Sequence, residues 1–200
     1  IYYFTGDADD VLQRLNDAAI FFGFDYFIVI TADNPLFSVR YANLIADRIC
    51  SDPSIDYIFS SGNPAGMNIS AIKSKALKVV CEIKEEIDTE IWGRLINRPE
   101  IFNVVEIKTE KQDIIPLSRV TLDEPDDYKF LHEVFNKFDS DYLIEESDLN
   151  KIIEEYPSIK NINPNIQQLD LDEVIIKRID TFYKKNYKKI IEMKSKIYKH

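Results

Sequence analysis

Two aspartates in this 200-residue chain stand where a reaction site is easily built. Tyr26-Phe27-Ile28-Val29-Ile30 is a run of β-branched and aromatic residues, which reads as a buried strand. The run leads through Thr31-Ala32 to a single carboxylate, Asp33, and then to Asn34-Pro35. Proline disfavours a helical conformation at the residue before it, so the chain turns at Asn34. Asp33 is therefore expected just past the C-terminal end of a core strand, the edge where open α/β sheets bind ligands. The same order recurs further on. Leu117-Ser118-Arg119-Val120-Thr121-Leu122 reads as a strand, and Asp123-Glu124-Pro125 follows it. Two carboxylates at like ends of two strands can converge on one divalent ion and hold it against phosphates. Taken alone, Asp33 is equally readable as a turn residue.

Other chemistry-bearing residues have plainer readings beside the functional ones. Asp7, Asp9 and Asp10 crowd the start of a helical pattern, where carboxylates complement the positive end of the helix dipole. Asp7 would be the N-cap and Asp10 the third residue of the first turn; the functional alternative is a second metal or substrate site. The two cysteines, Cys50 and Cys81, lie in apolar periodic segments without a nearby Cys or His. They read as reduced, buried thiols of a cytoplasmic protein, and a zinc site is not expected. The single tryptophan, Trp92, reads as core packing, with ligand stacking as the alternative. Lysines 184, 185, 188, 189, 194, 196 and 199 would form the wet face of an amphipathic helix or an oligomer contact, with a membrane surface or a nucleic acid as the functional alternative.

The elements that must position these residues follow from periodicity. The opening Ile1-Tyr2-Tyr3-Phe4 looks like the end of a strand. A helix runs from the acidic cluster to Phe22, and Gly23 ends it. After the strand at 26–30 comes a helix over about 38–50. A short strand at 57–60 leads to Ser61-Gly62-Asn63-Pro64-Ala65-Gly66, the richest turn signal in the chain. Residues 68–72 re-enter as a strand, and helices follow over 73–87 and 89–97. Residues 102–107 alternate as a strand, and after the strand at 117–122 a helix spans about 126–138. A short helix is expected at 148–156 and a long one from Asp170 to the end. Strands alternating with helices give an α/β class with a largely parallel sheet. Residues 1–140 form this α/β domain and 141–200 a helical appendage. The net charge of −10 argues against nucleic acid as a general partner. No apolar run approaches the ~18 residues of a membrane-spanning helix, so no membrane insertion is expected.

These pieces, in order, resemble the cytidylyltransferases of the spore-coat polysaccharide type, relatives of the acylneuraminate and 3-deoxy-manno-octulosonate cytidylyltransferases. Phe4-Thr5-Gly6 with Asp10-Val11-Leu12-Gln13-Arg14 is similar to the family's F-R-G-x-x-x-D-V-L-x-R. Ile30-Thr31-Ala32-Asp33-Asn34-Pro35-Leu36 resembles I-T-G-D-x-P-L, and Pro64-Ala65-Gly66-Met67-Asn68 resembles P-x-G-L-D. Arg119 to Asp127 looks like R-x-T-V-D-x-P-E-D, and Ser158 to Ile166 is similar to a tail segment of the family. The resemblance covers about residues 1–166. It implies a Rossmann-like, three-layer nucleotide-diphospho-sugar transferase fold and transfer of CMP from CTP to a sugar or sugar acid. Asp33 and Asp123 would hold Mg2+, Arg119 would act with them, and Asp10, Arg14, Gly66 and Asn68 would contact substrate or nucleotide. Each arginine is equally readable as a plain ion-pair partner of those aspartates. A homodimer is implied too.

The pattern also departs from the family. Its basic R-x-x-S-x-R-x-x-x-K loop would precede residue 1, so the chain is expected to be a fragment or to lack that loop. Ala32 replaces a glycine, and Asn68 and Ser70 stand where carboxylates are usual. The R-E-H-V-T segment is replaced near Asp88-Thr89-Glu90-Ile91-Trp92. These changes predict a different acceptor or a weakened site. The rival readings are a sugar-nucleotide-binding or interaction domain without turnover, and a glycosyltransferase of related fold. The second needs Asp-x-Asp after a core strand, whereas Pro35 follows Asp33-Asn34 here.

Overall fold

The computed structural model describes residues 2–85, 92–139, 142–164, 166 and 172–199. Four strands build one sheet: β1 (Tyr26–Val29), β2 (Tyr57–Ser61), β3 (Ser70–Lys73) and β4 (Val104–Lys108), in the order β1-β3-β2-β4. Side chains alternate between the sheet's two faces, as the pleat requires. Phe27, Val29, Tyr57, Phe59, Ile72 and Val104 join one buried cluster, while Ile28, Ile58, Ala71 and Val105 join another. Helices α1 (Val11–Phe22), α3 (Ser74–Ile83), α4 (Trp92–Ile96) and α7 (Glu173–Lys199) cover the first face. Helix α2 (Val39–Ser51) covers the second through Ile45. The result is the three-layer α/β arrangement expected.

The sheet is only partly parallel. β2 pairs with β4 in parallel, but β3 runs antiparallel to both β1 and β2. The cause lies between β2 and β3, where residues 62–69 are a loop without a helix. A strand pair joined by a short loop must return antiparallel. α3 and α4 then carry the chain from β3 to β4, which lies on the other side of β2 and runs parallel to it.

A second core sits at the end of the sheet. Leu36, Met67, Ile115 and Val120 meet Phe130, Leu131 and Val134 of α5 (Pro125–Phe135) and Leu149, Ile152 and Ile153 of α6 (Glu146–Glu155). The 141–200 segment, read as an appendage, thus supplies α6 to this cluster. It also supplies Ile179, Tyr183 and Ile190 of α7 to the core of the sheet.

Local signals explain the helix ends. Asp10, and not Asp7, is the N-cap of α1: its carboxylate accepts from the Gln13 N–H at 3.0 Å. Asp7 instead accepts from the N–H groups of Asp9 and Asp10, at 3.0 and 2.8 Å. Gly23 closes α1 at φ 70°, the left-handed conformation that glycine takes without cost. Ser38 caps α2, and Pro125 opens α5 in its first turn.

Three expectations need correction. Residues 2–10 form no strand, and Tyr2 and Tyr3 are exposed. Residues 117–122 are not a strand of the sheet either; their one bridge pairs Arg119 with Ala65. Cys50 is exposed, because α2 turns it away from Ile45. Helix α3 ends at Ile83, short of the expected 87, and residues 86–91, the start of the expected 89–97 helix included, lie outside the described residues.

Candidate active site

Three loop segments meet beyond the end of the sheet, held to one another by backbone hydrogen bonds. The Ala65 N–H donates to the Ser118 carbonyl at 3.0 Å, and the Val120 N–H donates to the Ala65 carbonyl at 2.7 Å. The Leu122 N–H donates to the Asp33 carbonyl at 2.8 Å, and the Ser38 N–H to that of Met67 at 3.1 Å. The 117–122 stretch therefore pairs with loops rather than with a strand. Burial along it does not alternate: Arg119, Val120 and Thr121 are all buried, and Leu122 is exposed.

The turn carrying Asp33 is fixed locally. The Asn34 N–H donates to the Thr31 carbonyl at 3.1 Å, and Asn34 Nδ2 donates to Thr31 Oγ1 at 2.6 Å. Gly66 lies against this turn with φ 97°. A Cβ there would stand 2.7 Å from the Thr121 nitrogen and 3.0 Å from Asn34 Oδ1. Only glycine allows so close an approach.

A cleft of about 600 Å³ opens over this junction. Thr31, Asp33, Asn34, Ala65, Gly66, Thr121 and Asp123 form its loop wall; Val11, Arg14 and Trp92 come from α1 and α4. Asp33 and Asp123, far apart in sequence, thus face one space. Their carboxylates, with the Thr31 and Thr121 hydroxyls and the Asn34 amide oxygen, are hard oxygen donors of the kind that could hold a divalent cation. No cluster of three or more His, Cys, Asp or Glu forms a self-sufficient metal site among the described residues.

Beneath the cleft, Arg119 is buried and bridges two carboxylates. Its Nη2 donates to Asp123 Oδ2 at 2.5 Å and to Asp127 Oδ2 at 2.7 Å. Asp127 is fully buried and also accepts from the N–H groups of Asp123 and Glu124, at 3.2 and 3.1 Å, and from Asn163 Nδ2 at 2.9 Å. Burial by itself would raise the Asp127 pKa. The bonds from Asn163, from the two backbone N–H groups and from Arg119 outweigh it and hold the carboxyl below its ordinary value. Asp127 therefore stays charged and orients Arg119, which in turn fixes one oxygen of Asp123.

Three comparisons bear on what this arrangement is. No family model matches the chain. An uncharacterised protein of Methanocaldococcus jannaschii is 29% identical over 176 residues, covering 86% of this chain and 70% of that protein. A cytidylyltransferase from Leptospira borgpetersenii serovar Hardjo-bovis shares the fold with a TM-score of 0.71 and 25% identity. That match covers 84% of this chain and 70% of the other. The likeness supports the cytidylyltransferase family. It also supports nucleotidyl transfer as the kind of reaction.

Against a cytidylyltransferase site, the residues singled out in the sequence divide into two groups. Asp33, Asp123, Arg14 and Gly66 line the cleft. Arg119, Asp10 and Asn68 are not among the lining residues. Arg119 acts from below, through Asp123. Asp10 caps α1 and forms a buried ion pair with Lys84. Asn68 is exposed, and its Nδ2 donates to the Asn63 carbonyl at 3.1 Å, which braces the 62–69 loop. Sequence reasoning did not single out Thr31, Asn34 and Thr121, although each is inside or beside a quoted motif. Nor did it give Asp127 and Asn163 a role; their partnership spans 36 residues of chain and leaves no local signal.

Proposed function

We propose that the chain binds CTP with magnesium and transfers CMP to a hydroxyl of a sugar or sugar acid. The observation that carries this reading is the convergence of Asp33 and Asp123 on one cleft, in a fold shared with a cytidylyltransferase. In the reaction, the acceptor oxygen bonds to the α-phosphorus of CTP while the bond from that phosphorus to the bridging oxygen breaks. Pyrophosphate leaves, and the hydroxyl proton is released. Asp33 and Asp123 would hold the magnesium, a cation that takes one or two carboxylates and completes its shell with phosphates and water. When bound, it supplies positive charge against the charge developing on the phosphates. Arg119 keeps the Asp123 carboxylate in place, and Arg14 adds a positive charge to the opposite wall. The resemblance adds a homodimer to this proposal.

Calorimetric titration of CTP with and without magnesium, with UTP and GTP as comparators, tests the reading. The wild type is expected to bind CTP selectively and only with magnesium. Asp33→Asn and Asp123→Asn are each expected to lose at least about 100-fold in affinity, or ~2.7 kcal/mol, without loss of fold. Unchanged affinity in either variant removes that aspartate from the site.

A second reading is a sugar-nucleotide-binding domain without turnover. One observation favours it: among the described residues, Arg14 is the single basic side chain lining the cleft. Magnesium-dependent binding of CTP without pyrophosphate release from any acceptor would select it.

A further inference from the structure

Charge is unevenly spread over this molecule. The whole chain has 35 acidic and 25 basic residues, a net charge of −10. In the 27 residues of α7 the balance reverses, to nine basic and three acidic, a net of +6. Eight of the nine are exposed, from Lys177 to Lys199. The ninth, Lys194, turns inward to Asp56 at 2.7 Å. At 3.6 residues per turn and ~1.5 Å per residue, the eight fall within one arc of about 140° and span about 33 Å. Ile179, Tyr183 and Ile190, on the opposite side, are buried.

Little on the molecule answers this charge. Glu192 is the one carboxylate inside the arc. Among the described residues, no carboxylate pairs with Lys184, Lys185, Lys188, Lys189, Lys196 or Lys199. Lys177 meets Glu173 at 3.1 Å, an exposed pair of little strength. Asp180, on the same helix, is held instead by Arg94 and Arg98 at 2.8 and 2.7 Å. A groove of about 540 Å³ is set into the N-terminal half of the arc. Lys177, Arg178 and Lys185 bring positive charge to it, Val174 and Phe182 bring apolar surface, and Glu85 also lines it.

We propose that this face of α7 docks on an anionic lipid bilayer. Cations held side by side repel one another, and a surface of opposite charge relieves that cost. Lysines outnumber arginine eight to one in α7. A lysine is a hydrated point charge, which suits a diffuse field better than the planar contacts by which arginine reads nucleic acid. The groove joins cations to apolar surface, as a phosphate headgroup is joined to acyl chains. The contact is peripheral, because the apolar stripe of α7 is already packed in the protein's core. No helix among the described residues is long and apolar enough to cross a membrane. A flat bilayer touches only the outer side of α7 and leaves the acidic body about one helix diameter away, ~10 Å. That is beyond the screening length of ~8 Å at physiological salt. A duplex taking α7 into its groove would instead bring phosphates alongside that body. None of the cleft's lining residues is on α7, so the proposal does not depend on the transferase reading.

Cosedimentation of the full chain with vesicles tests it, using equal parts phosphatidylglycerol and phosphatidylcholine against phosphatidylcholine alone. Binding is expected to the mixed vesicles only, and should be lost at about 0.5 M salt, where the field is screened within a few Å. Lys184→Gln with Lys188→Gln should weaken it about 25-fold, from about fivefold per lysine. Lys151→Gln with Lys160→Gln removes the same charge from exposed lysines outside α7. That pair should change binding less than about twofold, because its charges are screened from the surface. Thermal unfolding at the wild-type temperature shows that both variants keep the fold. Equal loss in the two variants overturns the proposal, since net charge alone would then be acting. Binding that ignores phosphatidylglycerol overturns it too. Tighter binding to a DNA duplex or to RNA than to the mixed vesicles overturns it and gives the face to nucleic acid. Self-association that the Lys184 and Lys188 changes abolish, without vesicle binding, overturns it in favour of a second copy.

Discussion

Gly66 shows how much one missing side chain can determine. Its φ of 97° is outside the range that residues with a Cβ adopt comfortably, and the nearest atoms across the loop belong to the Thr121 backbone, which cannot step aside. Gly66→Ala is therefore expected to cost about 1–3 kcal/mol. It should also push the Thr121 segment away from Asn34 and weaken CTP binding. Urea denaturation and CTP titration on the same variant check both effects, and an alanine tolerated in both assays would show that the loop has room to relax. The turn itself was legible, because Pro64-Ala65-Gly66 announces a bend. That it bends against Thr121 was not, because that contact joins residues distant in the chain. The same limit applies to Asp10. Sequence offered it either to a helix cap or to a site, and the pairing with Lys84, equally remote, goes with the cap.

At the scale of elements, α5 depends on an acid that cannot easily be protonated. The folded-state pKa of Asp127 lies below its unfolded value of about 3.9. Its charge therefore contributes stability that is fully present above that unfolded value and is lost as pH falls through the folded one. Asp127→Asn should lower stability at pH 7 by about 3–5 kcal/mol, since it leaves Arg119 buried with a weaker partner. The difference from wild type should narrow as the solution is acidified below about pH 4. Urea unfolding at pH 7 and pH 3.5 measures it; a gap that stays constant would show that the Asp127 charge is not what matters. Helices were the legible elements, because their caps and apolar stripes are local. Residues 117–122 misled because residue type reports that a stretch is extended and partly buried, and says nothing of which backbone lies alongside.

The whole molecule is closed by α7, which reaches both ends of the sheet's covered face. Tyr183 Oη donates to the Leu95 carbonyl at 2.7 Å. Further along, Lys194 and Tyr198 each donate to the buried Asp56 at 2.7 Å. Ile190, fully buried between these points, should cost about 2–5 kcal/mol when changed to alanine. Thermal unfolding should remain one transition, lowered as a unit; a separate early transition would mean that α7 melts off alone. The alternation of strands and helices made the α/β class legible but suggested a parallel sheet; the sign of β3's antiparallel return was the connection before it, which is too short for a crossover. The ties that join the three site loops run through main-chain groups, at Ala65, Ser118, Leu122 and Asp33. Such ties are indifferent to what the side chains are. A lineage of this protein can therefore exchange the residues that select a substrate while the frame around the aspartates stays put. The cleft's specificity can drift without a matching change of architecture.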